Sequence, residues 1–377
     1  MEDISPFSEE EELFRKTVRS FYDRELQPRL KDFEKEGVDR EFWRKAGSAG
    51  LLGCNIPEEF GGPGASDLCG VIKAYELGRT IAGATVGSAL SADNATHILM
   101  FGGSDAQKHT WAPGIVSGEV LQCMPLTEPD AGSDATAIRT TAMRDGGQYV
   151  INGSKTFISN GGSADILYVV AKTDTSLRGK GMSIIIVEAT TPGVNRRRLK
   201  TMGYPGYDVA EFHFDNVRVP VENILLGEGR AFEILFSTFA QDRLEIASRA
   251  LGEADLAFEL TLEYVKQRKA FGQRVFDFQN TQFKLAEMKT AVEVGRAFLY
   301  NGIRKYRAGQ FQLADGAMLK LHLSEMVSRV VDEAIQLFGG SGFMDEMPIS
   351  RLYRGSRLHR LYAGTSELQK IAIAKAL

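Results

Sequence analysis

The spacing of apolar positions changes twice along the chain, and the changes divide it into three parts. Up to about residue 120 the period is helical. Ser8 and Glu11 stand three apart ahead of a stripe of Phe14, Val18, Phe21 and Tyr22, which predicts a capping box opening an amphipathic helix. Pro28 kinks or ends that helix unless it lies in a first turn. Stretches 42–52, 68–78, 87–101 and 107–116 read as further helices, with Gly61-Gly62-Pro63-Gly64 as a break. From about 121 to 230 the signal is that of strands. Runs at 149–151, 166–171, 183–187 and 211–214 are β-prone, and Asp145-Gly146, Asn152-Gly153 and Arg178-Gly179-Lys180-Gly181 supply turns, Asn152-Gly153 as a hairpin. From about 231 long helical patterns return at 232–268, 282–307 and 313–338, the first with a break expected near Asp242. The predicted class is α+β: an N-terminal α-helical domain over 1–120, a middle antiparallel β domain over 121–230 and a C-terminal helical bundle over 231–377.

Composition narrows the function. A chain of 377 residues can bury a large core in two or three domains, and 43% hydrophobic with 25% charged residues is ordinary for a globular protein. The net charge of −4 gives a nucleic-acid partner no electrostatic support. No long uncharged apolar run predicts a membrane span. The acidic start Met-Glu-Asp-Ile-Ser-Pro argues against a signal or transit peptide, so the expected location is cytoplasmic. Cys54, Cys69 and Cys123 are widely spaced without a C-x-x-C, which fits a reducing compartment, and the five histidines show no ligand spacing, so no metal is expected.

The candidate chemistry centres on Gln122 to Gly162. Thr127, Gly132 and Ser133 offer N–H and hydroxyl donors at a bend after a short apolar run. Phe157 and Ser159 stand two apart and so share a face if this is a strand. An aromatic wall beside fixed donors suits a planar, polar-edged cofactor such as an isoalloxazine ring. No strand–G-x-G-x-x-G–helix unit supports a nicotinamide site.

Two of these runs, L-T-E-P-D-A-G-S-D at 126–134 and K-T-F-I-S-N-G-G at 155–162, resemble the flavin-domain signatures of the acyl-CoA dehydrogenases. I-P-E-E-F-G-G at 56–62, R-K-A-F-G at 268–272 and Q-L-F-G-G-S-G-F at 336–343 resemble three more, in the family's order over nearly the whole chain. The resemblance implies a C-terminal four-helix bundle that builds a homotetramer, FAD as cofactor, an acyl-CoA substrate and electron-transfer flavoprotein as the usual electron acceptor. It further implies that Leu126, Thr127, Phe157 and Ser159 meet the flavin ring. Arg268, Phe271 and Gln279 would reach the pyrophosphate and adenine of a flavin in a neighbouring subunit, with Gln336 and Gly340 on the adenine side and Thr365 and Glu367 as further contacts. Ser133 and Arg243 resemble CoA contacts. Phe157 stands where tryptophan is commoner.

In the family a base takes the proton α to the thioester while hydride leaves the β carbon for the flavin. The thioester oxygen is held by a flavin hydroxyl and by the backbone N–H of the base, a glutamate in Tyr-Glu-Gly-Thr. This chain reads Tyr362-Ala363-Gly364-Thr365. The N–H of residue 363 survives, but a methyl group cannot accept a proton; Tyr362 is expected to border the reacting carbons. Three readings compete. Asp242 precedes Arg243 where some members place a glutamate base, against which stands a helix-start aspartate or an Asp242–Arg243 ion pair. Asp93 lies where the family lines the acyl pocket with apolar residues, and could take a γ proton from an α,β-unsaturated thioester. That 1,4-elimination resembles the cyclohex-1-ene-1-carboxyl-CoA dehydrogenases of anaerobic aromatic and alicyclic metabolism. The third reading is an oxidase, a monooxygenase or an inactive scaffold of this fold. His97 and His359 read as structural, with His97 one turn after Asp93 and able to pair with it.

Overall fold

The computed structural model describes residues 5–86 and 93–377, with the side chains of Asp93 and Asn94 outside that description. Seven helices come first: α1 (Glu9–Phe21), α2 (Leu30–Glu36), α3 (Arg40–Ser48), α4 (Cys69–Gly78), α5 (Gly83–Val86), α6 (Asp93–Gly102) and α7 (Asp105–Ser117). The capping box is present, with Ser8 Oγ accepting from the Glu11 N–H at 3.2 Å and Glu11 Oε2 from the Ser8 N–H at 2.8 Å. Val18, Phe21 and Tyr22 are buried as the stripe predicts. Pro28 lies inside a single 3-10 turn between α1 and α2, where its missing N–H costs no ladder bond.

The middle strands are β1 (Gln122–Cys123), β2 (Thr141–Asp145), β3 (Gln148–Ser159), β4 (Ile166–Lys172), β5 (Met182–Glu188), β6 (Val194–Arg198), β7 (Val209–Pro220) and β8 (Ile224–Leu225). They form one sheet in the order β6-β7-β3-β2-β4-β5-β8, with β1 beside β4. The pairings are antiparallel except β1 with β4 and a single β2–β4 residue pair, which run parallel. Ile166 to Ala171 are buried on both faces because the sheet separates two apolar clusters. The expected hairpin at Asn152-Gly153 is not there. Both residues lie inside β3, where the register against β7 shifts between Ile151 and Gly153. The glycine serves a close approach: a Cβ on Gly153 would stand 2.4 Å from Thr140 Oγ1 at a φ of +148°. The β2–β3 turn is Gly146-Gly147, directly after Asp145, which closes β2 by pairing with Gln148.

The C-terminal part holds α8 (Ala231–Gln267), a small hairpin of β9 (Lys269–Ala270) and β10 (Gln273–Arg274), then α9 (Gln279–Arg307), α10 (Leu313–Phe338), α11 (Pro348–Ser356) and α12 (Ser366–Ala374). The largest apolar cluster lies where α8, α9 and α10 pack on one another and on α4. Helix α8 does not break near Asp242: neither proline nor glycine stands there to interrupt the ladder, and the helix continues for 37 residues. Its Gly252 lets α4 come close, since a Cβ there would meet the Tyr75 carbonyl at 2.3 Å. Among the described residues no helix is long and apolar enough to cross a membrane, and no group of His, Cys, Asp or Glu is placed to hold a metal.

Candidate active site

The segment after β1 is pinned to β3. The Thr156 N–H donates to the Thr127 carbonyl at 2.8 Å, and Lys155 Nζ to the Leu126 carbonyl at 2.9 Å. Lys155 Nζ also meets Glu128 Oε1 at 2.8 Å, and Glu128 in turn accepts the N–H groups of Arg139 and Thr140. Burial pushes the Lys155 ammonium down to about 8 against the pull of Glu128. This buried pair brings Leu126 and Thr127 alongside Phe157 and Ser159. Phe157 takes a φ of +60° at a second register shift in β3 and is 69% exposed. Ser159, on the same face, hydrogen-bonds the Tyr207 hydroxyl. Ser133 is exposed in the turn beyond.

A second group gathers at the far end of α8. Arg268 caps that helix, Phe271 follows at a φ of +51°, Gln279 opens α9, and Gln336 and Gly340 stand at the end of α10. The Tyr264–Phe338 stack, with centroids 4.1 Å apart, ties the two helix ends together. All five residues are exposed, Phe271 to 97%. Arg268 lies 25 residues beyond Arg243 on unbroken α8, about 37 Å away at a rise of 1.5 Å per residue.

The Tyr362–Thr365 turn packs against α10 and α12. Ala363 and Gly364 both have positive φ, +49° and +85°. Gln369 Nε2 donates to the carbonyls of Ala363 (3.2 Å) and Gly364 (2.8 Å), and buried Lys320 Nζ donates to Gly364 O at 2.7 Å. Among the described residues the Ala363 N–H donates to no protein group. Thr365 caps α12 by accepting the Leu368 N–H, and exposed Glu367 occupies that helix's first turn.

Asp242 departs from both bland expectations. It lies well inside α8, not at its start, and no ion pair joins it to Arg243 among the described residues. Arg243 instead donates from Nη1 to the Leu313 carbonyl at 3.4 Å and lies over the Phe239 ring. Among the described residues Asp242 Oδ1 is buried without a hydrogen-bond partner, and burial pushes the carboxyl up to about 7 although the Arg243 charge opposes it. Arg243 also helps depress the Lys320 ammonium to about 8, after the larger effect of burial, so this part of α8 adjoins the Ala363-Gly364 turn. Asp93 opens α6, but its side chain is outside the described residues, and so is any pairing with His97. His97 Nδ1 lies 3.3 Å from Asn55 Nδ2.

Of the groups behind Tyr362 sequence reasoning singled out only His359, as a structural residue. Arg249, Glu253, Tyr204 and His359 are all buried there and hydrogen-bonded to one another. The i, i+4 spacing of Arg249 and Glu253 was a legible signal, but nothing local showed that the pair would be buried.

Profiles of the three acyl-CoA dehydrogenase domains match in succession: the N-terminal domain over 8–119, the middle domain over 123–217 and the C-terminal domain over 229–377. The chain belongs to the acyl-CoA dehydrogenase family. It is 38% identical to the long-chain specific acyl-CoA dehydrogenase of Sus scrofa mitochondria over 98% of this chain and 87% of that one. The crystal structure of the acyl-CoA dehydrogenase from Geobacillus kaustophilus superimposes with a TM-score of 0.93 at 39% identity, covering 98% of each chain. A glutaryl-CoA dehydrogenase from Mycobacterium smegmatis, solved in complex with FADH2, superimposes with a TM-score of 0.90 at 29% identity over 98% of this chain and 95% of that one. Membership makes the chain an FAD-dependent oxidoreductase of the CH–CH bond in acyl-CoA thioesters. The exposed aromatic face of Phe157, flanked by Leu126, Thr127 and Ser159, fits a flat ring system with a polar edge.

Proposed function

We propose that this acyl-CoA dehydrogenase oxidises the Cα–Cβ bond of an acyl-CoA thioester with Asp242 as the base that Ala363 cannot be. The observation that carries the reading is the Asp242 carboxyl, with its buried, unpartnered Oδ1 and its ionisation raised to about 7. A base whose ionisation lies near the working pH combines the correct charge state with driving force for proton transfer. The unused Ala363 N–H, in a turn held by Lys320 and Gln369, supports a role as donor to the thioester oxygen, where charge develops as the α proton leaves. FAD, when bound, accepts the hydride from the β carbon. Leu126, Thr127, Phe157 and Ser159 would hold its ring, with Thr365 and Glu367 nearby, and Ser133 and Arg243 would contact CoA. Arg268, Phe271, Gln279, Gln336 and Gly340 would meet the distal end of a cofactor in a neighbouring subunit. Phe271 is almost fully exposed beside exposed Arg268 and Gln279, which leaves this end of α8 open to a neighbouring subunit of the homotetramer. Electron-transfer flavoprotein would reoxidise the enzyme.

The missing carboxylate at residue 363 equally favours a second reading, in which Asp93 takes a γ proton from cyclohex-1-ene-1-carboxyl-CoA and the product is the cyclohexa-1,5-diene thioester. One anaerobic experiment separates the two: flavin bleaching by butyryl-CoA, cyclohexanecarboxyl-CoA and its 1-ene in Asp242→Asn and Asp93→Asn. With Asp242 as base, Asp242→Asn abolishes bleaching by a saturated thioester and Asp93→Asn does not. Loss in Asp93→Asn alone, confined to the 1-ene, establishes the cyclic 1,4-elimination. Oxygen consumption without thioester-dependent bleaching sinks both and leaves an oxidase or monooxygenase.

A further inference from the structure

The Tyr362 side chain ends on a buried chain of polar groups that no step above has used. Its hydroxyl lies 3.2 Å from His359 Nδ1, and His359 Nε2 lies 2.9 Å from Glu253 Oε2. The other carboxylate oxygen, Glu253 Oε1, accepts from Arg249 Nε at 3.0 Å and from the Tyr204 hydroxyl at 2.9 Å. Arg249 also donates to the Gly83 carbonyl and lies over the Tyr204 ring. Glu253, Arg249 and His359 are each at least 98% buried. The network joins α4–α5, α8, the loop before β7 and the segment ahead of Tyr362.

The hydrogen positions follow from the donor inventory. An ionised Glu253 can only accept, so His359 carries its hydrogen on Nε2. On the other side of the ring His359 Nδ1 and the Tyr362 hydroxyl share a hydrogen bond at 3.2 Å. One residue on, Ala363 takes a left-handed φ of +49°, which costs a non-glycine residue about 1 kcal/mol and persists only where neighbours over-determine it. Lys320 and Gln369 hold the carbonyls on the C-terminal side of that residue. The Tyr362–His359–Glu253 chain holds the N-terminal side.

We infer that Glu253 and His359 are positioning residues for the oxidation: through Tyr362 they orient the Ala363 N–H toward the thioester oxygen. The inference rests on the assignment of that N–H as the donor to the developing enolate. Neither residue touches substrate. Their effect is to keep one donor aimed before reaction begins, so that no reorganisation is needed when charge appears.

The test uses the holoenzyme and 3-thiabutanoyl-CoA, whose sulfur acidifies the α C–H and blocks turnover. Its bound enolate is followed by long-wavelength absorbance against the oxidised flavin as pH is varied. Tyr362→Phe and His359→Gln (the latter keeping a donor for Glu253 but losing the Nδ1 partner of Tyr362) are each expected to raise the apparent ionisation pKa by about one unit, the weight of one hydrogen bond. They should lower kcat about tenfold with KM little changed, and the double variant should be no worse than either single one. His359→Asn, whose amide keeps a hydrogen-bond partner for Tyr362 near Nδ1, should shift the ionisation less. Flavin content and circular dichroism matching the parent protein exclude misfolding, and His359→Gln carries the test if Tyr362→Phe does not load. Unchanged ionisation in both single variants, or additive effects in the double, overturns the positioning role alone. Absence of any enolate in the parent enzyme overturns the Ala363 assignment, and this inference with it.

Discussion

Helix α8 carries two acids in opposite states, Glu253 fully buried and Asp242 half-buried. Glu253 meets His359, Arg249 and Tyr204, and although burial works to raise its carboxyl, His359 and Arg249 hold it down at about 2. Asp242, about three turns earlier, has a buried oxygen with no partner among the described residues and is pushed up to about 7. Burial acts the same way on both. What differs is whether opposite charge and donors come with it. A paired acid holds structure together, whereas an unpaired one is held ready to gain and lose a proton. The comparison shows how one helix can serve as scaffold at one point and as a source of chemistry at another.

The largest expected break in this comparison is catalytic. Asp242→Asn should lower the rate of flavin reduction by a saturated acyl-CoA about a thousandfold, within the range for loss of a general base, while Glu253→Gln should cost far less rate. Stopped-flow reduction under anaerobic conditions measures both. The order reverses for stability. Glu253→Gln leaves Arg249 and His359 buried without their carboxylate and should cost about 3–5 kcal/mol in urea unfolding. Asp242→Asn removes a charge that folding does not compensate, and at pH 8.5 (a condition about 1.5 units above the folded ionisation) should stabilise by about 1–2 kcal/mol.

The two acids also give opposite pH dependence. Glu253 has a folded value of about 2 against an ordinary 4.5. A depressed folded value means stability that is present above the unfolded value and lost as pH falls through the folded one, here between about 4.5 and 2. Asp242 is raised from 3.8 to about 7, so its contribution is present below 3.8 and lost as pH rises through 7. kcat/KM should therefore climb with pH up to about 7 while the stability contributed at Asp242 declines, and a rate profile flat from pH 5.5 to 8.5 would remove Asp242 as the base. The smallest effect is at the turn. Ala363→Gly relieves a left-handed alanine but frees the unfolded chain, so the melting temperature should move by no more than the equivalent of about 1 kcal/mol.

Patterns confined to one stretch of chain were the readable ones. The Ser8–Glu11 box, the full length of α10 and the β-prone runs at 166–171 and 183–187 need no distant partner to declare themselves. Asn152-Gly153 misled because its dipeptide preference assumes a free turn, whereas Thr140, twelve and thirteen positions earlier, comes so close that glycine is needed within the strand. Asp242 was visible as a candidate but not as a buried and unpaired one, and Glu253 carried no signal beyond its spacing from Arg249. Of the candidate flavin-facing residues, the adjacency of Leu126 and Thr127 to Phe157 depends on hydrogen bonds across about thirty positions and could not be read from either run alone.

By itself the sequence pointed to the family, to the change from helices to strands and back, and to an alanine at position 363 between Tyr362 and Gly364, since each is written in residues next to one another. Tertiary structure decided which acids are ionised at neutral pH, which histidine joins Tyr362 to a carboxylate, and which backbone N–H is left unspent. The reason is physical: desolvation and hydrogen bonding depend on what lies within a few ångströms, and around α8 those neighbours come from chain segments as far as 180 positions away.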